Sequence, residues 1–194
     1  MKIQLLSKPN ALLLKPEMLF LILSSIEFPD PPALTNPEEQ NGYLSNWYRS
    51  AFTVDGITFS SMEQYMMYEK AILFQDQQTA EKILGTDDVA EIKALGRMVR
   101  NFDEKIWREK RVSIVHKGVL QKFLQNPELA EKLLETGEQM IAECAVKDKI
   151  WGIGLSMWDE ERFCVDKWKG KNLLGKILMQ VRAEISVQNQ NTEK

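Results

Sequence analysis

An acid and an amine set two helical turns apart are the first residues of this chain with chemistry in them. Glu63 and Lys70 lie within 60–71 (SSMEQYMMYEKA), shortly after 44–47 (LSNW). Their spacing brings both to one helix face, roughly 10 Å apart along the axis at ~1.5 Å per residue. Much later, 148–154 (DKIWGIG) sets Asp148 ahead of a Trp-Gly-x-Gly turn, Trp151, Gly152, Ile153 and Gly154. The two patches read as one site. An acid, an amine, an aromatic face and a glycine that permits close approach are the parts that can hold and break a sugar–nitrogen bond.

Each of these residues also has an ordinary role open to it. Glu63 stands three residues after Ser60, where a capping-box acid belongs. Lys70 reads as a surface lysine paired with an acid, or as an amine whose pKa burial lowers until it is a neutral nucleophile. Asp148, between Lys147 and Lys149, reads as a solvated hairpin acid. The alternate glycines after it instead mark a bulge or close backbone approach. Trp47, Trp107 and Trp151 can fill a core or stack on a base. Arg97 and Arg100 share one side of a helix end, either as charged-face filler or as a phosphate clamp, since guanidinium geometry matches phosphate. Asn172 is a helix N-cap or a ligand contact. Met62, Met66 and Met67 read as core, and His116 receives no role.

The elements that must position these groups are legible in outline. Asp55-Gly56 between β-forming runs, 51–59 (AFTVDGITF), is a hairpin signal. Ser60 as N-cap predicts a helix to about Phe74, and a second covers 79–84 and stops at Gly85. Asp88 opens a third, to about Arg100, and Asn101 caps a long fourth. Ile106, Trp107, Val112, Ile114, Val115, Val119, Leu120 and Phe123 supply its apolar spacing. Asn126-Pro127 starts a fifth helix that Gly137 ends. Residues 140–145 and 150–155 read as strands flanking a charged turn, and 172 to about 187 as a closing helix. The fold class is α+β: one helix-rich domain with a small sheet.

Bulk properties bound the rest. The chain has 194 residues and a net charge of −3, which suits one domain with a full core and argues against a large nonspecific DNA-binding face. Its 2 cysteines, Cys144 and Cys164, and its single histidine make no disulfide framework and no zinc set. A cytoplasmic setting is the default. The apolar core of 18–26 is too short to span a bilayer, and no small-x-small cleavage pattern follows it. It reads as a strand or short helix at the domain edge. Proline-rich 29–41 reads as a linker. No Walker loop, nucleotide-binding glycine fingerprint, HExxH or GxSxG is present in the sequence.

Eight separated motifs, LSNW, FTVDGITF, SSMEQYMMYEKA, ALGRMVR, FDEKIW, NPELAEKLLETG, DKIWGIGL and GKNLLGKILMQVR, resemble in their order those of the NADAR, or YbiA-like, family. The resemblance covers about 43–185. It divides the chain into an N-terminal extension and linker (1–42), a NADAR/YbiA-like N-glycosidase domain (43–187) and a polar tail (188–194). In 1–42 the usual short opening strand is not visible.

The resemblance implies a metal-independent N-glycosidase without cofactor, acting where ribose C1 is joined to an exocyclic amine. Lys70 would be the Schiff-base amine. Glu63 and Asp148 would be acid/base or sugar-positioning groups. Trp107 and Trp151 would wall the pocket, with Trp47, Gly152, Asn46, Arg97 and Asn172 as ligand contacts. The substrate reading preferred here is ADP-ribose on guanine in DNA or RNA. Two others stay open: hydrolysis of ribosylaminopyrimidine phosphates of riboflavin synthesis, and an ADP-ribose or nucleotide reader without turnover. No membrane partner is expected, and 1–42 is expected to be dispensable for the chemistry.

Overall fold

The computed structural model describes residues 20–24 and 41–192, in two compact units, Asn46–Ala130 and the remainder. The proline-rich linker lies almost wholly outside the described residues.

The unit Asn46–Ala130 begins with a hairpin of β2 (Arg49–Val54) and β3 (Ile57–Ser61); β1 belongs to the other unit. Its turn is the expected Asp55-Gly56, both at positive φ (50° and 82°), the type I′ geometry whose twist matches the strands. Four helices follow: α1 (Met62–Leu73), α2 (Gln77–Leu84), α3 (Val89–Arg97) and α4 (Glu104–Leu124). The core is aromatic. Phe52, Phe59 and Tyr65 meet with ring centroids 5.1–6.0 Å apart. Gly118 on α4 is required there, because a Cβ would strike the Tyr65 ring and Met62. α1 is thus held between α3 and α4.

Two expected N-caps are replaced by neighbouring residues. Ser61, not Ser60, is the N-cap of α1, its hydroxyl accepting from Gln64 N–H (3.2 Å). Gln64 rather than Glu63 reaches back, accepting from Ser60 N–H (2.7 Å). A shift of one residue therefore frees Glu63 from the capping box. The long helix α4 is capped by Asp103, whose Oδ1 accepts from the Lys105 and Ile106 N–H groups (2.7 and 3.1 Å). Asn101 instead takes a left-handed turn (φ 56°). Its place in α4's start goes to Asp103 because only that carboxylate reaches the open N–H groups.

In the other unit β1 (Phe20–Ser24) pairs in parallel with β4 (Met140–Cys144), Phe20 opposite Met140. The apolar N-terminal run therefore supplies a strand. Among the described residues the sheet is two separate two-stranded ladders, not one. α5 (Pro127–Glu135) starts at its proline as expected, and Gly137 follows its end at φ 55°. α6 (Leu173–Thr192) packs on β4, burying Leu174, Ile177, Leu178, Val181 and Ile185 at helical spacing. It runs past Val187, into what reads from sequence as a polar tail.

Residues 150–155 are not a strand. They form a run of turns whose carbonyls are claimed by the chain entering α6: Lys169 N–H donates to Ile153 O, Asn172 N–H to Gly152 O and Leu174 N–H to Trp151 O (2.9–3.2 Å). Ile153 and Leu155 fill a cluster with Ala142 and Cys144. Both cysteines are free thiols, Cys144 buried and Cys164 exposed.

Candidate active site

Helix α1 carries the expected pair. Glu63 is buried, at 4% exposure, and its N–H donates to the Asn46 carbonyl (2.8 Å). Two turns on, half-buried Lys70 donates from Nζ to the Gly96 carbonyl (2.7 Å), with Nζ 4.2 Å from the centre of the Phe102 ring. Burial lowers the amine's pKa below the ordinary lysine value, while the Glu104 and Glu63 carboxylates act in the opposite direction. The Gly96 carbonyl and the Phe102 ring face hold the amine in place, and it is burial that makes its neutral, nucleophilic form easier to reach.

Asn46 is buried, and among the described residues its Oδ1 has no partner. An orphaned buried acceptor is uncommon and fits a ligand donor. Trp47 is half-buried, with Lys93 Nζ 5.0 Å from its ring centre. Trp107 is buried in α4. Arg97 is exposed on the last turn of α3. Its neighbour Arg100 is committed elsewhere, to Asp76 (Nη2 to Oδ1, 2.6 Å), so no two-arginine clamp forms.

In the other unit Asp148 holds a local turn: Oδ1 accepts from the Ile150 and Trp151 N–H groups (2.9 and 2.8 Å). It thereby orients half-buried Trp151. Gly152 is required by packing, since a Cβ would lie 2.9 Å from both the Asp148 and Glu143 carbonyls. Asn172, 1% exposed, spends its amide on β4, donating to Ile141 O (2.8 Å) and accepting from Glu143 N–H (3.1 Å). Those bonds give Gly152 and Asn172 structural work that motif position alone does not reveal.

Three polar residues escaped the sequence reading. Glu104, Arg111 and Lys122 share one stripe of α4 with Trp107, Val115 and Gly118. Arg111 and Lys122 are buried, whereas Ile106 and Val112 on the expected apolar face are exposed. Burial pushes the Lys122 amine down to about 7. The signal available was the 3-4-4-3-4 spacing of 104, 107, 111, 115, 118 and 122, which the more conspicuous aliphatic residues masked.

The NADAR domain model matches residues 34–186. The chain belongs to the NADAR family. Among its relatives is the N-glycosidase R617 of Acanthamoeba polyphaga mimivirus, 46% identical over 146 residues, covering 73% of this chain and 86% of that protein. The riboflavin biosynthesis protein VVA0006 of Vibrio vulnificus is 36% identical over 149 residues, 77% of this chain but 37% of that longer protein. The solution structure of YbiA from E. coli superposes with a TM-score of 0.66 at 25% identity, covering 87% of each chain. The helix-rich α+β architecture is therefore that of YbiA. β1 precedes the region that the NADAR model matches. No helix among the described residues is long and apolar enough to cross a membrane.

Proposed function

We propose that this NADAR domain is an N-glycosidase that uses Lys70 as a Schiff-base amine on substrates whose ribose C1 bears an exocyclic base nitrogen, with ADP-ribosyl-guanine in nucleic acid as the substrate. The observation that carries this reading is the setting of Lys70. Its amine is half-buried against Phe102 and the Gly96 carbonyl, its pKa is lowered by burial, and it shares a face with buried Glu63.

The steps balance without a redox partner. The exocyclic nitrogen lone pair forms a C1=N bond as the ring C1–O bond breaks, and an acid protonates the ring oxygen. The neutral Lys70 amine adds to C1, and proton transfer lets the base depart as its free amine, leaving C1 joined to Nζ as an imine. Water adds to that imine, releasing the sugar and restoring Lys70. Glu63 is the group assigned to carry protons between these partners, a role that a buried carboxyl near an amine can fill. The family resemblance offers Asp148 as a second acid.

The N-glycosidase relatives support the reaction class. The Vibrio relative favours a second substrate, the ribosylaminopyrimidine phosphates, which present the same C1–N linkage. Mass spectrometry of products from guanosine-ADP-ribosylated oligonucleotide and from the aminopyrimidine ribotide, run side by side, separates the readings. Release of ADP-ribose from the oligonucleotide is the expected result. Cleavage of the ribotide alone transfers the assignment to the second substrate, and binding of ADP-ribose with neither cleaved makes the chain a reader. Borohydride added during turnover should trap sugar on Lys70. Lys70→Arg, which keeps charge but offers no amine of usable pKa, should abolish trapping and turnover while ligand binding survives. A near-normal rate in Lys70→Arg rules out the covalent route and leaves carboxylate-assisted attack by water.

A further inference from the structure

Arg111 is a buried cation with little to hold. It is 3% exposed, yet its one hydrogen bond among the described residues runs from Nη1 to Glu104 Oε1 at 3.3 Å. That is long for a charge-assisted bond, which settles near ~2.7–2.9 Å. Its Nε is buried without a partner among the described residues. Arg100 in the same unit shows what a committed arginine looks like, with Nε and Nη2 at 3.1 and 2.6 Å from Asp76 Oδ1. A guanidinium has five N–H donors, and burying one with a single weak acceptor is unfavourable unless something else uses it.

Its partner is equally unusual. Glu104 is at the start of α4, and its side chain is 57% exposed. The same carboxylate is close enough to Lys70 to bias that amine. Glu104 thus bonds an arginine with donors to spare and acts electrostatically on the amine assigned to C1. A ribose carrying a phosphate at its other end would present the same pair of demands: a reactive carbon for the amine and an anion for an arginine.

We infer that Arg111 binds the phosphate of the sugar substrate by exchanging the Glu104 carboxylate for phosphate oxygens. This rests on reading Lys70 as the amine that meets ribose. It places the phosphate contact one turn beyond Trp107 on α4, instead of on exposed Arg97. A terminal phosphate on the ribose and the pyrophosphate of ADP-ribose would both satisfy the same fork.

Calorimetric titration of the full chain with ribose, ribose 5-phosphate and ADP-ribose tests it without requiring cleavage. The wild type should bind both phosphorylated probes more tightly than ribose. Arg111→Met should lose roughly tenfold to a hundredfold on those two, the range for a charged hydrogen bond, with no change for ribose. Loss confined to ADP-ribose assigns the pyrophosphate, and loss on both assigns the shared phosphate. Glu104→Gln removes the competing charge and should tighten both phosphorylated probes. A structural role for the pair predicts the reverse, so this variant keeps the test decisive if Arg111→Met melts early. Equal binding of ribose and ribose 5-phosphate by the wild type, or unchanged or weaker binding in Glu104→Gln, overturns the inference. A wild type that discriminates for phosphate but cleaves neither substrate defeats the glycosidase reading while leaving Arg111 in place.

Discussion

At the scale of single residues the chemistry turns on how much charge surrounds one amine. The Glu104 carboxylate works against the burial that lowers the Lys70 pKa, so neutralising it should lower that pKa further. The reactive form is the neutral amine, whose fraction falls as pH drops through its pKa. Glu104→Gln should therefore move the acid limb of the kcat/KM profile to lower pH; a limb that stays fixed or moves up shows that Lys70 is not the group titrating. Glu63→Gln should slow turnover by roughly 10²–10⁴, the range for losing an acid/base group, at unchanged melting temperature. Asp148→Asn is the sharper comparison, because the amide still offers Oδ1 to the Ile150 and Trp151 N–H groups. A rate loss of similar size in that variant would belong to the charge and not to the turn, and a normal rate would return Asp148 to a structural role.

At the scale of elements, Asp76 shows how the helices around α1 are tied. It caps α2 through Thr79 and takes Arg100 by backbone and side chain just after α3. Those bonds to Arg100 and Thr79 hold its carboxyl well below the usual carboxylate range. A depressed carboxyl contributes stability that is complete above its unfolded pKa, ~3.9, and is lost as pH falls through the folded value. Asp76→Asn should therefore destabilise at pH 7, and its gap from wild type in urea midpoint should close as pH drops below about 4. A gap that is constant with pH would mean that the charge contributes nothing. The elements legible in the sequence are those with local punctuation, such as the Asp55-Gly56 turn and the Asn126-Pro127 start. Residues 150–155 misled because their alternating apolar pattern is that of a strand, whereas their carbonyls serve residues 169–174. Of the site, the α1 pair was legible because helical spacing alone aligns it. Arg111 was not, since a charged residue in a charged helix reads as surface until packing shows which side is covered.

At the scale of the molecule, a strand from ahead of the matched NADAR region closes one edge of β4. A chain starting after Gln40 would lose β1 and leave that edge with open N–H and C=O groups. The expectation that 1–42 is dispensable becomes a question about this ladder, and the chain carries its own gauge for answering it. Cys144, the last residue of β4, is buried, and burial pushes its thiol up to about 12, so almost none is thiolate near neutrality. Cys164 is exposed. In a timed alkylation read by mass spectrometry, Cys164 should label at once and serve as the internal reference. Cys144 should label only as often as its surroundings open. Faster labelling of Cys144 in the shortened chain would report that β1 is a latch on that unit; an unchanged rate would show that the latch is elsewhere. The two thiols thus form a clock and its zero point.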